Sequence, residues 1–179
     1  MKKLLVIVDY QNDFVSGALG SPAAAALEDG IAAAAAAALD EGGAVLFTRD
    51  THGGDYLDTR EGRFLPVPHC IAGTGGHHLY GQLAPYESDP RATIAVLDKS
   101  TCGSPDIAQA VRKLCGGEPE EIVLCGVVTN ICVLCNAVLL HTAFPNSRIC
   151  VRHKLCAAAS QEAHENALSV LKGLGIELL

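Results

Sequence analysis

The sequence predicts one three-layer α/β domain, a parallel sheet covered by helices on both faces. Three observations predict it. Short apolar runs such as residues 4–8 show no polar alternation, as strands buried on both faces require. These runs alternate with helical stretches that open at Ser21-Pro22, Ser104-Pro105 or Ser160. The chain has 179 residues, enough for one substantial core and short for two.

Residues 3–9 read as the first strand. Ser21-Pro22 supplies an N-cap and a first helical position, and the Ala-rich stretch 23–39 reads as a helix stopped by Gly42-Gly43. Ala is the best helix former, and a small-residue face lets a helix lie close on a sheet. Residues 44–48 are the second strand. Residues 49–91 carry Gly, Pro and His throughout and hold at most short elements; a loop region this long is usually functional or disordered. Residues 92–97 form the third strand, and Ser104-Pro105 opens a helix to about Cys115, stopped by Gly116-Gly117. A fourth strand at 121–125, a helix at 130–143 and a fifth strand at 148–152 follow. Ser160 caps a helix to about Lys172, and 175–179 is a short final strand. With no repeat or linker visible, 1–179 is read as a single domain.

Hydrophobic residues make up 49% and aromatics 4%, with no Trp, so the core must be built from Ala, Val, Leu and Ile. A net charge of -7 disfavours nucleic acid and anionic membrane surfaces as partners. The apolar run at 4–8 is closed by Asp9 and is too short for a signal peptide. No run approaches the roughly 18–20 apolar residues of a membrane span. The eight Cys are therefore expected as reduced thiols in the cytoplasm. Cys115, Cys125 and Cys150, inside patterned elements, read as small buried hydrophobes.

In an open parallel sheet, ligands bind beyond the carboxyl ends of the strands. That edge collects Asp9, then Asp50 and His52, then Lys99, then the turn that delivers Cys132. In the first turn of a helix, unpaired N–H groups and the helix dipole lower a thiol's pKa. The same N–H groups can hold an oxyanion. Cys132 fits a nucleophile there, and also a buried structural thiol. Cys132 and Cys135 form a C-x-x-C that fits a redox pair or half a zinc site, although no second C-x-x-C is present. Asp50 and His52 flank one residue and point to the same side of an extended chain. With Glu61 and His69 they offer two carboxylates and two imidazoles, a set that suits Zn²⁺, Mn²⁺ or Fe²⁺. A solvated loop holding His and acids is the plain alternative. His77-His78, in a Gly-rich stretch, are expected at the surface.

The segment Asp9-Tyr10-Gln11-Asn12-Asp13-Phe14 resembles the D-x-Q-x-D-F opening of the isochorismatase-like cysteine hydrolases. Asp50-Thr51-His52 and Pro68-His69-Cys70-Ile71-Ala72-Gly73-Thr74 resemble the D-x-H and P-H-C-x-x-G-T segments of its nicotinamidase/pyrazinamidase branch. Lys99 falls where that family has its lysine, and Gly126-Val127-Val128-Thr129-Asn130-Ile131-Cys132-Val133 is similar to its G-x-x-T-x-x-C-V signature. The resemblance covers nearly the whole chain, in order and spacing. It implies a six-stranded parallel sheet in Rossmann-like order and a catalytic triad of Asp9, Lys99 and Cys132. It implies a divalent metal, zinc before manganese or iron, on Asp50, His52, His69 and Glu61. It further implies a cis peptide between Val127 and Val128 that aims N–H groups at an oxyanion. Phe14, with Phe64 or Leu65, is expected to form a ring-sized apolar wall. The implied reaction is hydrolysis of a small carboxamide, nicotinamide foremost, through a thioester on Cys132. Thr51 and Asn136 depart from the common Trp and Asp of the nicotinamidases. The alternatives are an N-carbamoyl or ureido amidase, a vinyl-ether hydrolase, or a noncatalytic binding protein on the same fold. An Ala-rich acidic domain of this size could also pair into a homo-oligomer.

Overall fold

The computed structural model describes residues 3–179. Six strands form one sheet: β1 (Lys3–Val8), β2 (Ala44–Asp50), β3 (Ile94–Lys99), β4 (Glu121–Val127), β5 (Arg148–Ala157) and β6 (Glu177–Leu178). Their order is β3-β2-β1-β4-β5-β6, and every pair is parallel. Leu4 to Val8 are all buried, so β1 has no solvent face, as its unbroken apolar run requires.

Seven α-helices accompany the sheet: α1 (Asn12–Val15), α2 (Pro22–Ala25), α3 (Glu28–Asp40), α4 (Arg60–Phe64), α5 (Ile107–Cys115), α6 (Leu134–Ala143) and α7 (Gln161–Gly173). Right-handed crossovers put α3 on one face, against β1 and β2. They put α5, α6 and α7, packed side by side, on the other. The direction of winding reverses between β1 and β4, which makes that edge the topological switch point where open α/β sheets bind ligands.

The helix expected at 23–39 is two helices. Ser21 Oγ accepts from Ala24 N–H at 3.1 Å and Pro22 starts α2, as expected, but the chain breaks at Ala26-Leu27 before α3. Contrary to expectation, 22–40 is long and apolar enough, by length and composition alone, to cross a membrane. It carries Glu28 and Asp29, and α3 lies on β1 and β2. Strands β2, β3, β4 and β5 run further at their carboxyl ends than the apolar runs suggest. Pairing with a neighbour outweighs side-chain polarity there: Asp50 is in register with Lys99 across β2 and β3. The turn after β4 is a π-helical turn, Thr129–Val133, that leads into α6. The long segment after β2 is built from α4 and 3-10 turns at Tyr56–Asp58, Gly75–His77 and Gly81–Ser88.

Candidate active site

Asp9 leaves β1 with a left-handed backbone (φ 48°), which turns its side chain off the strand and under the sheet edge. Its N–H is held by the carbonyl of Thr48 at 3.1 Å, and Thr48 Oγ1 donates to Asp9 Oδ1 at 2.6 Å. Asp9 Oδ2 lies 2.7 Å from Lys99 Nζ. Among the described residues no other group donates to that oxygen. Lys99 Nζ also reaches Asp50 Oδ1 at 3.2 Å and Cys132 Sγ at 3.8 Å. Asp9, Lys99 and Cys132 are 0%, 4% and 7% exposed. Gly126 allows the close approach of β4 to β1 behind this corner: a Cβ there would sit 2.2 Å from the carbonyl oxygen of Val8. The peptide bond between Val127 and Val128 is cis.

Burial raises the Asp9 carboxyl above its ordinary range, although Lys99 pulls it down. Burial works against the Lys99 ammonium, but Asp9, Cys132 and Asp50 hold it firmly protonated. The Cys132 thiol is pushed up, first by its hydrogen bond with Cys102, then by burial and by the charge of Asp9. The lowered thiol pKa expected from a helix start is thus overturned. The hydrogen bond with Cys102, enclosure and two neighbouring carboxylates together outweigh the backbone dipoles, so Cys132 rests as a thiol.

Asp50, His52, Glu61 and His69 each bring one ligand atom to a common cluster, all within 4.8 Å of one another. Asp50 Oδ2 is 2.8 Å from His52 Nε2 and 3.3 Å from His69 Nε2, while Glu61 Oε1 is 3.9 Å from His52 Nε2. His69 Nδ1 lies 2.8 Å from the carbonyl of Val67. A carbonyl only accepts, so Nδ1 carries the hydrogen and Nε2 is aimed at the cluster, the outer-shell arrangement metal-binding imidazoles need. Two imidazole nitrogens and two carboxylates converging in this way fit a divalent ion. Burial opposes protonation of His69, yet its hydrogen bonds to Asp50 and Val67 raise its pKa. The same carboxylate lies far below its usual range: burial opposes this, but His52, His69 and Lys99 prevail. Asp50 therefore belongs to both halves of the site.

Sequence reasoning missed several supports. Gln11, fully buried, accepts from Asp50 N–H at 2.7 Å and donates to the carbonyls of Asp50 and His77 at 2.9 and 2.8 Å. Asp13 Oδ2 accepts from Cys70 N–H at 2.7 Å, next to His69. The Tyr56 ring packs 4.6 Å from His52 and 5.0 Å from His69, and its hydroxyl donates to the carbonyl of Leu65. Cys102 stands beside Cys132, three residues past Lys99. Gln11 and Asp13 belong to the D-x-Q-x-D-F segment that opens at Asp9, the signal that could have marked them.

Phe14 is buried, meets the His69 ring edge-on at 5.3 Å and lines a cavity of about 250 Å³ with Val127 and Val128. The wall expected from Phe64 is not formed, because its ring is 91% exposed. Glu61 and Gly62 take the inner side of α4, and Leu65, just past its end, is half-buried. His77, expected at the surface, is buried, with Nε2 2.8 Å from Thr51 Oγ1. That bond turns Thr51 toward the loop.

The isochorismatase-domain family description matches residues 3–179. The nicotinamidase/pyrazinamidase PncA of Bacillus subtilis is 34% identical, with a TM-score of 0.86 and 99% of each chain covered. A pyrazinamidase/nicotinamidase of Streptococcus mutans is 32% identical, with a TM-score of 0.87, over 99% of this chain and 100% of that one. The pyrazinamidase of Pyrococcus horikoshii, solved in complex with zinc, has a TM-score of 0.83 over 100% of this chain and 99% of its own. At 23% identity it shows the shared fold. The chain belongs to the isochorismatase family.

Proposed function

We propose that this protein is a metal-dependent cysteine amidohydrolase that cleaves nicotinamide, or a close heteroaromatic carboxamide, to the acid and ammonia. The observation that carries the reading is the single ammonium of Lys99, 2.7 Å from Asp9, 3.8 Å from Cys132 and 3.2 Å from the ligand-set carboxylate Asp50. An acid, a thiol and a metal-binding cluster share one enclosed corner.

Asp9 Oδ2 takes the Cys132 proton as the sulfur attacks the amide carbon. The raised carboxyl and the resting thiol suit a transfer made at the moment of attack. Lys99 stabilises whichever partner carries the negative charge. Backbone N–H groups of Val128 and Cys132 hold the oxyanion. Asp9 then returns the proton to the leaving ammonia and activates the water that hydrolyses the thioester. Asp50, His52, Glu61 and His69 would hold a divalent ion, zinc before manganese or iron, which supplies Lewis acidity toward the substrate's ring. Phe14 and the cavity at Val127 and Val128 offer the ring an apolar seat. Relatives named nicotinamidase and pyrazinamidase at 32–34% identity support the substrate class. Eight free thiols suit a reducing cytoplasm, where we place the enzyme. The test is ammonia release from nicotinamide with and without a chelator. Turnover that vanishes on chelation and returns with zinc is expected. Turnover indifferent to the chelator would remove the metal, and no release from any carboxamide would remove the function.

A further inference from the structure

The segment that follows β3 folds back over the nucleophile turn, and one side chain fastens it there. The buried amide of Asn136 accepts from Ser104 N–H at 3.0 Å and donates to the carbonyls of Cys102 and Cys132 at 3.1 and 2.8 Å. Backbone positions 102 and 132 are thereby tied to one group. Their thiols are hydrogen-bonded to each other. All eight cysteines are free thiols, and Cys102 is half-buried while Cys132 is enclosed. Cys135, the partner suggested by the C-x-x-C spacing, interacts with Cys102 only through charge and packs against Gly103.

We propose that Cys102 is a peroxide-reactive thiol that Cys132 resolves, so that a peroxide converts the pair into a reversible disulfide that switches the enzyme off. The loss of activity rests on the reading of Cys132 as nucleophile; the cross-link itself does not. The half-buried Cys102 is the side from which an oxidant arrives. Its hydrogen bond with Cys132 lowers its pKa below the ordinary thiol value, toward the reactive thiolate. That thiolate attacks the peroxide, breaking the O–O bond to give a sulfenic acid and one water after protonation. Cys132 sulfur then attacks the Cys102 sulfur, the S–S bond forms, and the hydroxyl leaves as a second water with the Cys132 proton. Two thiols and one hydrogen peroxide yield one disulfide and two waters.

The test exposes the reduced, full-length protein to hydrogen peroxide near pH 7. Free thiols are counted, and peptides are mapped without reduction. Ammonia release is followed before and after dithiothreitol. Loss of two of the eight thiols, a peptide joining Cys102 to Cys132, and activity lost and then regained on reduction are the expected results. In Cys102→Ser, which lacks the sulfur that meets the peroxide, no cross-link should form and the variant should keep its own starting ammonia release through the same exposure. A cross-link to Cys135, the absence of any cross-link, or inactivation of Cys102→Ser by peroxide as fast as that of the unaltered protein would overturn the proposal. The map reads mass and is independent of substrate. A cross-link with ammonia release unchanged would overturn the switch and the nucleophile together, whereas a missing cross-link leaves the amidase reading intact.

Discussion

The Asp9–Lys99–Cys132 corner and the Glu61–His69 stretch meet at Asp50, yet the chain positions them by different means. The corner stands on strand ends. Backbone register sets Val8 beside Thr48 and Gly126, and Asp50 beside Lys99. Its three groups are sealed from solvent. Glu61 and His69 come from a long segment without a strand of its own. They are held by separate ties: Thr59 capping α4, Asp13 on Cys70 N–H and Val67 on the imidazole. The Glu61 side chain remains 30% exposed. Strand ends deliver charge into a dry corner by packing, whereas a loop delivers the candidate ligands through individual hydrogen bonds, each of which can be removed singly.

Breaking the corner should cost most. Asp9→Asn is expected to lower kcat by roughly 10³- to 10⁴-fold. It leaves the Lys99 ammonium buried beside fewer charges, at about 3–5 kcal/mol in chemical denaturation. In the unaltered enzyme Asp9 must be ionised to act. Because its pKa is raised, kcat/KM should fall, as pH is lowered, well before the ordinary carboxylate value of 3.8 is reached. An acid limb below that value would remove Asp9 as the base.

A cut at the junction should weaken the ion without touching the triad. Gln11→Leu removes the clamp on Asp50, and zinc affinity by calorimetry should drop about 10- to 100-fold with the fold retained. Unchanged affinity would mean that β2 alone fixes Asp50. Further along the loop, Glu87 accepts from Leu79 N–H and Arg49 and meets His78. Burial opposes ionisation, but these partners lower its carboxyl below the ordinary 4.5. Its stabilisation is therefore complete above that value and lost as pH falls through the lowered one. Glu87→Gln should cost about 1–2 kcal/mol at neutral pH, and less as acid is added. At the exposed tip, Phe64→Ser should change stability by less than about 0.5 kcal/mol and leave kcat/KM alone. A large fall in kcat/KM there would restore Phe64 to the pocket.

The same division explains what the sequence made legible. Asp9, Asp50, Lys99 and Cys132 could be found because apolar runs mark strands and a parallel sheet gathers their ends. The candidate ligand set of Asp50 and His52, with Glu61 and His69 behind it, could be read from residue type. The clamp of Gln11, the bridge of Asn136 and the Cys102 contact could not. A side chain that bonds a distant backbone leaves no periodic trace. The break between α2 and α3 was hidden because Ala-rich sequence suits either one helix or two. The raised Cys132 thiol was missed because a helix start is local, while Cys102, which raises it most, and the carboxylates of β1 and β2 arrive from elsewhere in the chain.

The account centres on sulfur chemistry at Cys132, and trapping the acyl-enzyme tests it most directly. Rapid acid quench of zinc-loaded enzyme with nicotinamide, followed by peptide mass mapping, should find the nicotinoyl group on Cys132. In Cys132→Ala the adduct should be absent and ammonia release lost. An acyl group on any other residue, or steady turnover by Cys132→Ala, would contradict it.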